Sequence, residues 1–226
     1  SGNRKNALRI AAGSIRKARY CAMRRVFSAL LSATFVLAAG QVPAAGIADI
    51  GKVLTPAPMV CGAFTQSKWL KALARPLVSR GRVVFVSGTG VLWQITSPFP
   101  SRLLFKTEAV IRWDENDVPK PTGFAQFPQF RALSDVFFAV FDGDTSRLAT
   151  AFDASATVGP DTWTLTLKPR DKGFAARISD IDVSGGRYVE ELTITEGQGD
   201  RTAIRFSGLT ADGCVLSTAE KGYLAY

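Results

Sequence analysis

The chain of 226 residues is 46% hydrophobic and 21% charged, a composition typical of one globular domain with a sizeable core. Its formal charge is +9, but residues 1–25 hold eight of the 28 lysines and arginines, and residues 26–226 carry 20 basic against 19 acidic side chains. Because the body of the chain is nearly neutral, no nucleic-acid partner is expected.

Histidine is absent from the sequence, which removes the residue on which most acid–base catalysis, activated nucleophiles and zinc sites depend. A pair of carboxylates needs no histidine, and Asp180 and Asp182 lie on one side of a predicted strand. The other acidic clusters are typical of turns and helix caps. We therefore expect a protein that is not an enzyme, with no catalytic residue, no metal site and no cofactor.

The first 48 residues have the pattern of an export signal. Met23-Arg24-Arg25 precedes a 14-residue apolar stretch, residues 26–39, which small residues follow. We interpret residues 1–22 as an upstream extension, residues 23–45 as a cleaved signal peptide and residues 46–226 as the exported domain. The alternatives are an uncleaved membrane anchor and an amphipathic helix that belongs to the domain.

Two cysteines remain after this signal, Cys61 and Cys214, since Cys21 lies upstream of it. An even pair in an oxidising compartment favours a disulfide bond. Two buried free thiols are the alternative.

The exported domain begins with a short predicted helix at 46–55, which Pro56 and Pro58 end. Five strand-like segments with short connections follow, a pattern typical of an antiparallel meander. They are Val60–Trp69, Val78–Val86, Gly90–Thr96, Ser101–Thr107 and Ala109–Trp113.

The hairpin formed by the second and third of these segments is apolar on both faces. Val83-Val84-Phe85-Val86 and Val91-Leu92-Trp93 flank the turn Ser87-Gly88-Thr89-Gly90, whereas a strand with one wet face alternates apolar and polar residues. The sequence leaves open whether protein, a partner or a ligand covers the second face.

The segment 124–144 changes to helical spacing, with a helix predicted to begin at Pro128 and a second short helix over 145–152. A helix packed on the sheet and an apolar lid both explain its aromatic residues. These are Phe124, Phe127, Phe130, Phe137, Phe138 and Phe141.

The chain then returns to strands, which together with the meander predict an α+β domain of ten or eleven strands and two or three helices. The predicted segments are Trp163–Lys168, Phe174–Val183, Tyr188–Thr195, Thr202–Ser207 and Val215–Ser217.

Several motifs occur in an order that resembles the periplasmic outer-membrane lipoprotein carrier family, LolA, in its divergent branch. They are Phe64-Thr65-Gln66, the glycine-started strand Gly81–Phe85, Gly90-Val91-Leu92-Trp93, a strand that opens on Trp163, and LTITEGQGDRTAIRFSGL at 192–209. The resemblance covers roughly residues 47–226.

The resemblance implies an incomplete antiparallel β-barrel, covered by helices and enclosing an apolar cavity. It further implies a periplasmic protein that binds and transfers the acyl chain of a lipoprotein, or a lipid or polyene, between an inner-membrane donor and an outer-membrane acceptor. A lipid- or lipoprotein-sensing module is the alternative. The residues expected to line the cavity are Phe64, Phe85, Val91, Trp93, Ile95, Phe105, Phe130, Phe137 and Trp163.

The chain departs from the family at one functional position. The family places an arginine–proline pair after the glycine-started strand, and its arginine latches the lid; here these positions are Ser87 and Gly88. The resemblance therefore does not imply release of cargo through that latch.

Overall fold

The computed structural model describes residues 47–124 and 128–226. Eleven strands and five helices are formed within these ranges. The strands are β1 Met59–Trp69, β2 Leu77–Val86, β3 Gly90–Ser97, β4 Ser101–Phe105, β5 Ala109–Trp113, β6 Pro119–Gly123, β7 Phe152–Val158, β8 Trp163–Pro169, β9 Ile178–Gly185, β10 Val189–Glu196 and β11 Arg201–Thr210. The helices are α1 Ile47–Val53, α2 Pro128–Asp142, α3 Ser146–Ala151, α4 Lys172–Ala175 and α5 Thr218–Leu224.

All eleven strands join one open antiparallel sheet in the order β6-β5-β4-β3-β2-β1-β11-β10-β9-β8-β7. The predicted α+β class, the incomplete antiparallel barrel and the number of strands are confirmed, while five helices replace the two or three expected. The extension predicted for residues 1–22 and the signal peptide predicted for residues 23–45 lie outside the described residues, as does Phe127.

The strands that the sequence analysis missed are the two edges of the sheet. β6 contains Pro119 and Pro121, which cannot donate ladder hydrogen bonds and are tolerated at an edge. β7 is built mainly of small and polar residues, so it lacks an apolar run. The local sequence of each favours a strand only weakly, and hydrogen bonding to the one neighbouring strand stabilises it as a strand.

Two predicted strands are wrong, Phe174–Val183 at its first four residues and Val215–Ser217 throughout. Residues 174–177 lie in and after α4, which begins because the Asp171 carboxylate accepts a 2.7 Å hydrogen bond from the Phe174 amide. Residues 215–217 precede α5, where Ser217 forms a capping box with Glu220.

The inner face of the sheet carries the main core, on which α1, α2 and α3 pack. Aromatic side chains of α2 lie against those of the strands: Phe141 stacks on Phe85 with ring centroids 4.9 Å apart, and Phe137 lies 5.6 Å from Trp93. The aromatic stripe is therefore a helix packed on the sheet along most of its length.

This packing explains Gly81, the glycine of the motif Gly81–Phe85, which lies within β2. Gly81 pairs with Phe64 across β1 and β2, and a Cβ at Gly81 would lie 1.9 Å from the Gln94 carbonyl oxygen on β3 and 2.7 Å from the Phe64 ring. Because Gly81 has no side chain, the Phe64 ring can stack on Trp93, with the ring centroids 3.6 Å apart.

Protein covers the second apolar face of the β2–β3 hairpin. Val84, Leu92 and Leu104 point away from the main core into a second cluster, which the C-terminal segment and α5 complete. By contrast, the outer face of β8–β11 is polar, and there Thr166 donates a 2.6 Å hydrogen bond to Asp182. Strands alternate cleanly only where no second layer covers them.

The C-terminal segment is attached to the sheet by the predicted disulfide bond, which is confirmed. Cys61 on β1 is bonded to Cys214, with 5.7 Å between the Cα atoms. The bond closes a loop across a sequence separation of 153 residues and therefore restricts nearly the whole domain.

A charged contact fixes α5 on the outer face. The buried Glu220 carboxylate accepts a 2.8 Å hydrogen bond from Arg82 Nε and another 2.8 Å bond from the Ser217 amide. Burial alone raises the pKa of Glu220, but the hydrogen bonds from Ser217 and Arg82 and the charge of Arg82 hold the pKa below its ordinary value. The ionised Glu220 carboxylate is therefore the form that stabilises the fold.

We predict that Glu220→Gln lowers the free energy of unfolding by about 2 kcal/mol at neutral pH, because a charged hydrogen-bond pair and a helix cap are both weakened. A depressed carboxyl pKa adds stability above the unfolded-state value of about 4.5, and this contribution is lost as the pH falls through the folded-state pKa. We expect urea denaturation at a series of pH values to show that the difference in the free energy of unfolding between wild type and variant becomes smaller in acid. Glu115→Gln, in an exposed turn, is the matched control; a pH-independent difference would refute the assignment.

Candidate ligand-binding site

A cavity of about 540 Å³ lies between the first half of α2 and the inner face of the sheet. It is at the end of the sheet where β1 and β10 finish and β9 and β11 begin. Its lining consists of Gln66, Lys68, Phe130, Leu133, Ala176, Arg177, Ile178, Ile194, Glu196, Gln198, Asp200, Thr202 and Ile204.

The inner wall of this cavity is apolar. Phe130 and Leu133 come from α2, one helical turn apart, and face Ile178, Ile194 and Ile204 of three neighbouring strands. All five side chains belong to the main core or pack against it, so the cavity continues the core outward.

The mouth of the cavity is polar. Along the inner face of β1 the residues change from buried Phe64 to Gln66 and then Lys68. Lys68 Nζ lies 3.1 Å from Glu196 Oε1, and both side chains are about one-third exposed. A molecule with an apolar tail and a polar head is complementary to this gradient.

All nine predicted lining residues belong to the main core or pack against it, and two of them also line a depression. Phe130 lines the cavity, and Trp163 lines a smaller depression of about 300 Å³, where its indole N–H donates a 2.8 Å hydrogen bond to the Gly186 carbonyl. The other seven pack in or against the main core; they are Phe64, Phe85, Val91, Trp93, Ile95, Phe105 and Phe137. Their contact with a ligand stays a prediction.

The sequence analysis did not include Leu133, Ile194 or Ile204 in the site. Ile194 and Ile204 alternate in step with the inward-facing Leu192 and Phe206, but alternation says nothing of position along the barrel. The usable signal is the change from apolar to charged residues at inward positions, from Phe64 to Lys68 on β1 and from Ile194 to Glu196 on β10. That change marks where a strand reaches the mouth.

The latch position also contacts the covering helix, though through a hydroxyl group. Ser87 Oγ donates a 2.8 Å hydrogen bond to Asp142 Oδ1 at the last residue of α2. Because α2 runs from Phe130 at the mouth to Asp142 at the other end of the sheet, this bond attaches the helix at the end away from the cavity.

Two other depressions have charged walls. One of about 560 Å³ lies at the far end of β9–β11 and includes Arg187, Glu190 and Arg205. Another, of about 510 Å³, lies beside Arg131 and Asp135 of α2. There burial raises the pKa of Asp135, against the opposing charges of Arg131 and Arg147.

Within residues 47–124 and 128–226, no cluster of three or more acidic or cysteine side chains is arranged to hold a metal ion. Asp180 and Asp182 lie on the polar outer face, hydrogen-bonded to Ser179 and Thr166. None of the helices described in these ranges has the length and apolarity to cross a membrane.

The family described as outer membrane lipoprotein carrier protein LolA matches residues 58–216. This match covers more than half of the chain, and the chain belongs to that family. No curated protein matches the sequence.

Three solved structures are among those similar to this chain. A LolA superfamily protein from Nitrosomonas europaea is 11% identical over 75% of this chain and 93% of that chain, with a TM-score of 0.40. A DUF1329 family protein from Desulfovibrio piger is 12% identical over 75% and 92%, with a TM-score of 0.43. A chain of the MucA/MucB complex of Pseudomonas aeruginosa is 15% identical over 77% of this chain and 60% of that chain, with a TM-score of 0.42.

Proposed function

We propose that this protein binds a lipid-bearing or other amphiphilic molecule in the periplasm and carries it towards the outer membrane. The observation that carries this proposal is the cavity of about 540 Å³ with an apolar wall and a charged mouth. Membership of the lipoprotein carrier family supports it. The cargo is the acyl chain of a lipoprotein or a lipid or polyene, received from an inner-membrane donor and passed to an outer-membrane acceptor.

The energetics of such a site need no directional chemistry. Each methylene transferred from water to the apolar wall contributes about 0.8 kcal/mol, so a few methylenes hold a chain reversibly. The volume falls within the range of about 300–1,000 Å³ found for small-molecule sites. Lys68, Arg177 and Glu196 keep the polar head of the cargo in contact with water.

A tail longer than the cavity extends towards Phe137 and Trp93, which now fill the space beyond Phe130. We infer that the first half of α2 moves outward to admit it, while the Ser87–Asp142 hydrogen bond and the stacking of Phe141 on Phe85 retain the other end. An aromatic wall exposed in this way would also suit a flat polyene.

The test is native purification of the chain produced from Met23 with its own signal, followed by mass spectrometry of bound lipid. The proposal predicts a co-purified amphiphile that detergent displaces, and a mature chain that lacks residues 23–45. Lipid-free protein that binds no fatty acid or phospholipid at saturation would contradict it. Turnover of a lipid by the purified protein would instead indicate an enzyme.

A further inference from the structure

Exposed apolar side chains are concentrated at the end of the sheet where the cavity opens. Of the eight large apolar side chains exposed in the described residues, six lie at this end, since β1 ends there, β2 begins there, and the β3–β4 and β5–β6 turns lie there too. The six are Trp69, Leu73, Leu77, Val78, Phe99 and Val118, and Phe99 is 82% exposed.

The first four strands and their loops carry a one-sided charge. From Ile50 to Thr107 the sequence contains eight lysines and arginines and no acidic residue. Among the described residues, exposed Lys71, Arg75 and Arg80 form no ion pair. Lys71 and Arg75 lie in the β1–β2 loop with Leu73, and Arg80 lies on β2 three residues after Leu77.

This surface is continuous with the cavity. Leu77 is the Cα partner of Lys68, which lines the mouth, and both lie on the inner face of the sheet. The Lys71 amide donates a 2.9 Å hydrogen bond to Asp200, another lining residue. A membrane or molecule in contact with the β1–β2 loop therefore lies directly over the mouth of the cavity.

We propose that residues 70–78 and 98–100, the mouth loops, dock on the surface of an anionic phospholipid membrane. Phe99, Leu73 and Leu77 enter the headgroup region, while Lys71 and Arg75 contact lipid phosphates. Single apolar side chains at loop tips, interspersed with cations, fit a fluid anionic surface better than a shaped protein partner. The role assigned to this contact, transfer of cargo between bilayer and cavity, rests on the proposed function.

The test is flotation of the full chain with vesicles of phosphatidylcholine, with or without one-third phosphatidylglycerol. We expect binding to the anionic vesicles that weakens as salt rises. Arg75→Glu should reduce the partition coefficient at least about fivefold, the factor for one basic residue near an anionic surface. Phe99→Ser should reduce it about tenfold, because a largely exposed ring is the group that inserts.

The matched controls lie away from the mouth, Val215 in the C-terminal segment and Arg187 in the β9–β10 turn at the opposite end of the sheet. Val215 is 77% exposed and Arg187 is exposed, so Val215→Ser removes an exposed apolar side chain elsewhere and Arg187→Glu makes the same charge reversal as Arg75→Glu. Circular dichroism should be unchanged for all four variants. Equal flotation of wild type, Arg75→Glu and Phe99→Ser would overturn the proposal.

The absence of any flotation would also overturn it and would leave the mouth loops as a contact for a protein. Titration of the vesicle-free protein with a fluorescent fatty acid separates the two proposals. Fatty-acid binding without flotation refutes membrane docking alone. Flotation without fatty-acid binding refutes the carrier function and keeps the docking surface.

Discussion

Replacing Cys61 and Cys214 together by alanine should lower the free energy of unfolding by about 4–5 kcal/mol. The disulfide closes a loop across 153 residues, and in the chain-entropy model a loop of that length restricts the unfolded chain by about this amount. A loss of this size is a large fraction of the stability of an ordinary domain. Urea denaturation under oxidising conditions measures it.

Reduction provides the control for this prediction. Wild type treated with a reductant should fall to the stability of the double variant, and the variant should not respond to reductant at all. Because the C-terminal segment covers Val84 and Leu92, limited proteolysis should also cut the variant sooner near residue 214. A loss below about 1 kcal/mol would contradict the stabilising role of the bond.

Ile194→Trp should weaken binding of a fatty acid roughly 50-fold. Ile194 lies on the apolar wall of the cavity, and an indole group there occupies the space of about three methylenes, each of which contributes about 0.8 kcal/mol. Isothermal titration of the lipid-free protein with a long-chain fatty acid measures the dissociation constant.

The matched control is Thr195→Trp, which places the same side chain on the opposite face of β10. It should leave the affinity within about twofold of wild type, since Thr195 is half-buried on the polar outer face, where an aromatic residue does not reach the cavity. An equal loss of affinity in both variants would indicate damage to the sheet. Unchanged affinity in Ile194→Trp would show that the fatty acid does not bind in this cavity.

Much of the fold follows from the sequence because its signals are local. Trp163, Leu165 and Leu167 alternate with polar residues on β8, and this pattern fixes which face is buried. The edges escaped detection because β6 and β7 depend on a neighbour for their hydrogen bonds. The C-terminal helix was missed although Ser217 and Glu220 have the spacing of a capping box. Its packing on the apolar outer face of β2–β5 brings together residues distant in sequence and has no local signal.

The position of the candidate cavity follows less directly from the sequence, for a related reason. An inward-facing aromatic residue lines a cavity only where no opposing side chain fills the space. Trp93 lies between Phe64 and Phe137, at centroid distances of 3.6 and 5.6 Å, and the space there is occupied. At Phe130 the opposing residues are Ile194 and Ile204, which leave room. Such a difference in volumes depends on three strands and a helix together, not on any one segment.

Photo-cross-linking with a diazirine-bearing fatty acid tests the central claim most directly, because it reports where the hydrocarbon lies. We expect saturable labelling, competed by unlabelled fatty acid, on peptides that contain Phe130, Leu133 and Ile194. Labelling confined to the outer face of β8–β11, or labelling that does not saturate, would contradict it.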